Sequence, residues 1–213
     1  MRAYDLAKAV FDGVVTIPAD FYFGLERSFE DLNLTAGGFL YQSRNRAEDD
    51  RLLKGLAQIV KKPNVLFDMV KFIVDDVLSK LPEPVVKKVF EGVTLSGSTY
   101  ISKTQAQAIV SFAIANRVIR GASVSSFVTK FARLNTIALL STVMVQGTIA
   151  RAARSSRKLL NENPKLYYEL KKRNWDMLYF LVESSLEKFL ILDRLYHKDR
   201  TTFDKVVHEI ENL

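Results

Sequence analysis

Histidine is the side chain that most often binds metal ions or transfers protons near neutral pH, and this chain of 213 residues has two of them. His197 and His208 are eleven positions apart, whereas two metal ligands on one helix need a spacing of about four. The chain also has no cysteine, which excludes disulfides, thiolate catalysis and cysteine-ligated zinc. The sequence therefore predicts no metal centre.

The carboxylates and serines also lack the arrangement that catalysis requires. The acidic run 48–50 comes at the start of a predicted helix, where carboxylates stabilise the positive end of the helix dipole. No serine occupies a G-x-S-x-G nucleophile elbow. Residues 92–99 partly match a phosphate-binding loop, but Ser98 replaces the lysine that pairs with the γ-phosphate. We predict no enzymatic activity, no catalytic residue, no cofactor and no small-molecule substrate.

The most unusual feature of the sequence is a block of 70 residues, 92–161, which has nine basic residues and no Asp or Glu. The residues before the block and those after it each carry a net charge of −1, so the formal +7 of the chain arises within the block. A segment that carries the whole net charge is the natural place for function, and its charge predicts an anionic partner.

Two groups of bases in this block are candidate membrane-binding or anion-binding residues. The first group separates two uncharged runs, 104–116 and 134–150, and comprises Arg117, Arg120, Lys130 and Arg133. In a hairpin made from the two runs, these bases would lie together near one membrane interface, where long cationic side chains reach the headgroups. The second group recurs every three to four residues, so it shares one helix face, and comprises Arg151, Arg154, Arg157 and Lys158.

The elements that position these residues are predicted to be helices. Helical apolar periodicity, with few glycines and prolines, predicts an all-α fold: one compact domain of eight to eleven helices around a buried helical hairpin and an apolar C-terminal helix. Within the single domain 1–213, an amphipathic shell covers 1–91, the basic hairpin 92–161, and the C-terminal helices 162–213. A capping box at Ser102 and Gln105 begins the first hairpin helix, which runs to Arg120, and the second hairpin helix spans 123–160.

Three further stretches carry specific predictions. Residues 65–80 have a clean apolar stripe at helical spacing and predict one amphipathic helix. Two glycines at 37–38 end an earlier helix, and the loop through Phe39 and Tyr41, before a helix starting at residue 44, is expected to be ordered by packing. Residues 175–196 are the most apolar of the chain and predict a single long helix that is buried on nearly every side.

The acid-free block favours action at a membrane, since acidic side chains are costly in lipid and small residues permit close helix contact there. A 102–160 hairpin within a helical shell resembles the pore-forming domain of colicins and the pore-forming effectors of bacterial type VI secretion. This resemblance is one of architecture and covers residues 92–161, and colicin hairpins are more strictly apolar than this one. It implies a toxin or effector that permeabilises or depolarises a membrane by inserting the hairpin, with anionic lipid as partner.

Two other interpretations remain. In the first, the chain is an interaction module, such as a chaperone, adaptor or immunity-type protein, which binds a cognate protein; its arginines would pair with acids such as Asp176, Glu183 and Glu187. In the second, the partner is nucleic acid, which is less favoured because the bases lack the aromatic neighbours of single-strand sites. The absence of a signal sequence and of a long apolar span predicts a soluble cytoplasmic protein, and membrane action would add export by a specialised system or association with a membrane.

Overall fold

The computed structural model describes residues 19–62, 64–94, 102–121 and 143–211. These residues form ten α-helices and one 3-10 helix, and no strand occurs among them, which confirms the predicted all-α fold. In chain order the helices are α1 (Ala19–Asp31), α2 (Gly38–Lys61), α3 (Val65–Lys80), α4 (Glu83–Val93), α5 (Lys103–Arg120), α6 (Val143–Glu162), α7 (Pro164–Lys172), the 3-10 helix (Asp176–Leu181), α8 (Glu183–Leu190), α9 (Leu192–Lys198) and α10 (Arg200–Glu211).

The helices belong to two compact units, and each unit is assembled from separate parts of the chain. In the first unit, α1 packs along α6 and against α2, while α6 also packs against α2 and α7. In the second unit, α5 packs against α3 and α4, and α10 packs against α4, α8 and α9. The candidate site described below lies entirely within the first unit.

Helices α3 and α5 begin and end where the sequence predicts. Met69, Val70 and Ile73 of the apolar stripe on α3 have no exposed surface, so burial of that stripe holds the helix in place. At the start of α5, the Ser102 hydroxyl oxygen accepts a hydrogen bond from the backbone N–H of Gln105 at 3.3 Å. This bond satisfies one of the unpaired N–H groups of the first turn and confirms the predicted cap.

The predicted hairpin is described only in part. Its first arm is α5, which packs within the second unit, and the end of its second arm is α6, which packs within the first unit. The intervening residues 122–142, which include Lys130 and Arg133, lie outside the described residues. The hairpin as one packed element therefore stays a prediction.

The prediction of a single long helix over 175–196 is wrong. The stretch forms three short pieces, the 3-10 helix, α8 and α9. Val182, just before α8, has irregular dihedral angles, and Ile191, between α8 and α9, belongs to neither helix although its own dihedral angles are helical. Its first part, to Phe180, belongs to the first unit and the remainder to the second. Consecutive side chains such as Met177 and Leu178 are fully buried, and breaks in the helix allow successive short segments to bury different faces. A sequence that is apolar on nearly every side has no periodicity to reveal such breaks.

Helix α2 begins at Gly38 rather than at residue 44. Asn33 and Gly38 adopt left-handed φ values of 58° and 52°, which turn the chain sharply between α1 and α2. The Gln42 side-chain amide donates to the Asp31 carbonyl oxygen at 2.8 Å and ties the two helix ends together. Phe39 consequently lies in the first turn of α2 with 77% of its surface exposed, so the expectation that packing orders this residue is wrong.

Replacing Gly55 with alanine is expected to destabilise the first unit by about 1 kcal/mol. A Cβ atom at Gly55 would lie 2.6 Å from the Asn174 carbonyl oxygen and 3.0 Å from Leu178 Cγ. Overpacking of this kind costs roughly 1–3 kcal/mol, which outweighs the roughly 0.5–1 kcal/mol that alanine gains over glycine in a helix. Urea unfolding followed by the fluorescence of Trp175, the only tryptophan, measures this unit.

The exposed residue Ala57, on the same helix, provides the control. Ala57→Gly changes only the intrinsic helix preference and is expected to cost roughly 0.5–1 kcal/mol. If Gly55→Ala instead raises the stability by that same amount, the close approach of α2 to Asn174 is not a constraint on this fold.

Candidate functional site

The six predicted basic residues that the structure describes lie in two separate environments, whereas Lys130 and Arg133 lie outside the described residues. Arg117 and Arg120 occupy the last turn of α5 in the second unit, where Arg117 Nη2 donates to the Val93 carbonyl oxygen at 3.4 Å and Arg120 is exposed. Arg151, Arg154, Arg157 and Lys158 all lie on α6 in the first unit.

The predicted face of α6 contacts aromatic and acidic side chains of its own unit. The Arg154 guanidinium lies 4.0 Å from the ring centroid of Phe23 and forms an ion pair with Glu26. Arg157 Nη1 donates to Glu48 Oε1 at 2.6 Å, and the Arg151 guanidinium lies 5.3 Å from the ring centroid of Phe180. The acids that pair with Arg154 and Arg157 thus come from α1 and α2; the predicted partner Asp176 instead accepts from Arg51 at 3.0 Å.

Arg154 and Arg157 belong to a cleft between α1, α2 and α6 that has a volume of about 250 Å³. Four arginines and two glutamates line this arginine cleft together with two aromatic rings. The full lining is Phe23, Glu26, Arg27, Glu30, Tyr41, Arg44, Ala150, Arg154 and Arg157. The arrangement brings bases from the neighbouring helices α1 and α2 and from α6, which is about a hundred residues further along the chain, to one concave surface.

Arg27 anchors the cleft through a buried ion network. Only 3% of Arg27 is exposed, and its Nη1 donates to Glu48 Oε2 at 3.0 Å while its Nη2 donates to the Asn45 carbonyl oxygen at 2.8 Å and to Asp49. Burial lowers the pKa of Arg27, but the adjacent Asp49 and Glu48 raise it above its usual value, so Arg27 keeps its charge. Burial raises the pKa of Asp49, against the opposing effect of Arg27.

The cleft presents cations outward and keeps its carboxylates inside. The side chains of Arg44, Arg154 and Arg157 are 36–45% exposed, whereas the carboxylates that they pair with are 5–18% exposed. Because the acids lie beneath the guanidinium groups, an approaching molecule meets positive charge first, even though the ion pairs are balanced. The cleft mouth is therefore suited to an anionic surface or group.

Beside the cleft, the connection between α1 and α2 and the first turn of α2 expose a set of large apolar side chains. We name this set the apolar turn; it comprises Leu32, Leu34, Phe39, Leu40 and Tyr41. Leu40 is 80% exposed, and Tyr41 belongs to both features because it also lines the cleft, with the Arg44 guanidinium 4.6 Å from its ring centroid. Five exposed large apolar residues within ten positions form a patch of a kind that marks interaction surfaces.

Sequence reasoning missed the apolar turn and half of the arginines. Arg27 and Arg44 lie in a segment whose charges nearly balance, so net charge did not single them out. A usable signal was present in the run Phe-Leu-Tyr at 39–41, which directly follows two glycines and has no large apolar residue at helical spacing on its N-terminal side.

None of the described helices combines the length and the apolar character needed to cross a membrane. Across the described residues there is also no group of three or more His, Asp or Glu side chains placed to hold a metal ion. No protein-family model, curated protein or solved structure matches this chain.

Proposed function

We propose that this protein binds the surface of anionic membranes through its first unit. The apolar turn enters the boundary between headgroups and acyl chains, and the outward-facing arginines beside it contact headgroup phosphates. The observation that carries the proposal is the continuity of the two features through Tyr41 and Arg44: protruding apolar side chains lie directly beside exposed guanidinium groups. This combination provides both of the forces by which peripheral proteins bind membranes.

The magnitudes support surface binding. Fully burying a Leu or Phe side chain contributes about 1.5–3 kcal/mol, so partial insertion of the apolar turn supplies several kcal/mol. Each cation near an anionic leaflet adds about 1 kcal/mol, and the net charge of +7 attracts the whole molecule to such a surface. Neither contribution requires the fold to open.

Insertion of the 102–160 hairpin as a pore-forming toxin or effector is a further hypothesis, carried by the acid-free block. It requires α6 to leave the first unit, which exposes Ile149, Ala152 and Leu159, all buried there, and separates Arg154 and Arg157 from their carboxylates. Dye release from anionic liposomes measures insertion. Ala138→Asp and Leu140→Asp, at positions outside the described residues, should abolish release if the hairpin inserts, and unchanged release would exclude this route.

Salt-titrated binding to three surfaces tests the proposal of surface binding. We expect binding to phosphatidylglycerol vesicles that weakens as salt rises, little binding to phosphatidylcholine vesicles, and weaker binding to duplex DNA, since DNA offers no apolar layer for the turn. The readout is the fraction of protein that sediments with vesicles, with DNA affinity measured in parallel. Equal or tighter binding to DNA than to anionic vesicles would contradict the proposal.

A protein-interaction module, acting as an adaptor, chaperone or immunity-type protein, is the second candidate function. The observation that favours it is that α5 in the second unit exposes Ile109 and Phe112 on one face. The Phe112 ring packs edge-on against the Phe67 ring, with 5.4 Å between the two ring centroids. A chain that sediments with none of the vesicles, yet loses stable assembly with a cognate protein upon Phe112→Ser, would make this candidate the better one.

A further inference from the structure

We infer that the arginine cleft is a binding site for a phosphomonoester group. The inference deepens the proposed function and rests on it for the lipid as one source of the group. A phosphomonoester headgroup and a soluble phosphomonoester share the chemistry that the cleft recognises, and the test below separates them.

Three arginines of the cleft use only some of their N–H groups for hydrogen bonds to the described residues. Arg154 uses Nη2 for Glu26, and Arg157 uses Nη1 for Glu48. Arg44 uses Nε and Nη2, for the Asn45 side-chain oxygen and Glu30. Since a guanidinium carries five N–H donors, each of these three arginines keeps donors that no residue in the described part of the chain occupies, and these can serve a ligand in the cleft.

Arg154 and Arg44 are already held in place by aromatic rings. The Phe23 ring stacks on Arg154 at 4.0 Å, and the Tyr41 ring lies 4.6 Å from the Arg44 guanidinium. Stacking covers the flat faces of the guanidinium groups and leaves their N–H edges available, which is the geometry that binds phosphate oxygens in pairs. A ligand therefore pays little side-chain ordering entropy in this cleft.

Glu48 and Glu30 would each keep a hydrogen-bond partner if a ligand drew Arg157 or Arg44 outward. Glu48 would keep its bond from Arg27 at 3.0 Å, and Glu30 would keep its bond from the Asn45 side-chain nitrogen at 3.0 Å. Neither carboxylate is left buried and unpaired, so displacement of Arg157 or Arg44 avoids the large cost of an orphaned charge. The second bond that Glu48 and Glu30 each accept makes the exchange of partners feasible at Arg157 and Arg44.

The charge and shape of the ligand follow from the same contacts. A ligand must compete with carboxylates that each bring one negative charge and two oxygens. A phosphomonoester brings about −1.5 to −2 charges and three terminal oxygens, which match three converging guanidinium groups better than a second carboxylate does. The volume of about 250 Å³ is below the roughly 300–1,000 Å³ of pockets for drug-sized ligands and suits a small headgroup.

The test uses the intact chain and two kinds of probe. Calorimetric titration with glycerol 3-phosphate, without vesicles, measures the site alone. A second experiment measures whether a lipid supplies the phosphomonoester group. It compares the fraction of protein that sediments with phosphatidylcholine vesicles containing phosphatidic acid with the fraction that sediments with vesicles containing phosphatidylserine at the same surface charge. We expect glycerol 3-phosphate to bind, and the variant Arg44→Gln/Arg154→Gln to bind it roughly 10–100-fold more weakly. Lys165→Gln, at an exposed lysine of the same unit, is expected to leave this affinity unchanged.

The outcomes separate the inference from the proposed function. Absence of glycerol 3-phosphate binding while anionic vesicles still bind overturns the inference and leaves the function standing. An equal loss of glycerol 3-phosphate affinity in Lys165→Gln also overturns the inference, because the loss would then reflect the total positive charge of the protein and not the cleft. Binding of glycerol 3-phosphate that depends on Arg44 and Arg154, without binding to any vesicle, supports the site with a soluble source and removes the membrane function. Circular dichroism confirms that each variant keeps its helical fold.

Discussion

Replacing Arg27 with methionine is expected to lower the free energy of unfolding of the first unit by about 3–5 kcal/mol, because breaking a buried ion pair leaves charges without a partner. Asp49 would lose the guanidinium that bonds to it, and the Asn45 carbonyl oxygen would lose its side-chain donor. Glu48 would keep only Arg157. Urea unfolding followed by Trp175 fluorescence measures the loss.

Lys54→Met is the matched control, since it removes a cation from an exposed pair with Asp50 on the same helix. Exposed pairs contribute about 0–1 kcal/mol, so this variant should unfold nearly as the parent does. A loss at Arg27→Met no larger than that of Lys54→Met would show that the buried network does not hold the cleft together.

The pH dependence of the Arg27→Met variant should follow from Asp49. The pKa of Asp49 is raised by burial in the folded chain, so folding favours its protonated form, and removing the opposing effect of Arg27 raises the pKa further. The folded variant then binds a proton at a pH where the unfolded chain does not. Its destabilisation relative to the parent should shrink as the pH falls from neutral toward the usual aspartate value of 3.8.

Replacing Phe39 and Leu40 together with serine is expected to weaken binding to phosphatidylglycerol vesicles by more than roughly 30-fold. The two side chains are 77% and 80% exposed, so serine removes about 2–4 kcal/mol of insertion energy without removing packing from the folded unit. Vesicle sedimentation at fixed salt measures the partition, and urea unfolding should show stability close to that of the parent.

Val60→Ser is the matched control for this double variant. Val60 lies near the other end of the same helix and is 64% exposed, so the substitution removes a comparable exposed apolar group outside the apolar turn. Its vesicle binding should equal that of the parent. A double variant at Phe39 and Leu40 that binds as tightly as Val60→Ser would show that the turn does not enter the membrane.

The sequence could predict those features of the fold that depend on residues close together in the chain. The bounds of α3 follow from a stripe within sixteen residues, and the cap of α5 follows from two residues three positions apart, so both were predictable. The breaks at Val182 and Ile191 were not, because an almost uniformly apolar stretch does not record which side chain faces which neighbour.

The candidate site was predictable only where charge accumulates along the chain. Arg154 and Arg157 stood out because the block 92–161 that contains them has no Asp or Glu. Their position in a cleft depends on pairing with Glu26 and Glu48, more than a hundred residues away, and no local pattern encodes such pairs. The exposure of Leu40 could not be predicted either, because the sequence of an apolar run is the same whether or not other parts of the fold cover it.

The most direct test of membrane-surface binding is a single environment-sensitive fluorophore on the apolar turn. The chain has no cysteine, so Leu40→Cys can be labelled at one site, with Val60→Cys labelled in the same way for comparison. We predict that phosphatidylglycerol vesicles shift the emission of the label at position 40 to the blue and expose it to quenching by doxyl lipids, while the label at position 60 changes little. No shift at position 40, or equal shifts at both positions, would contradict the account.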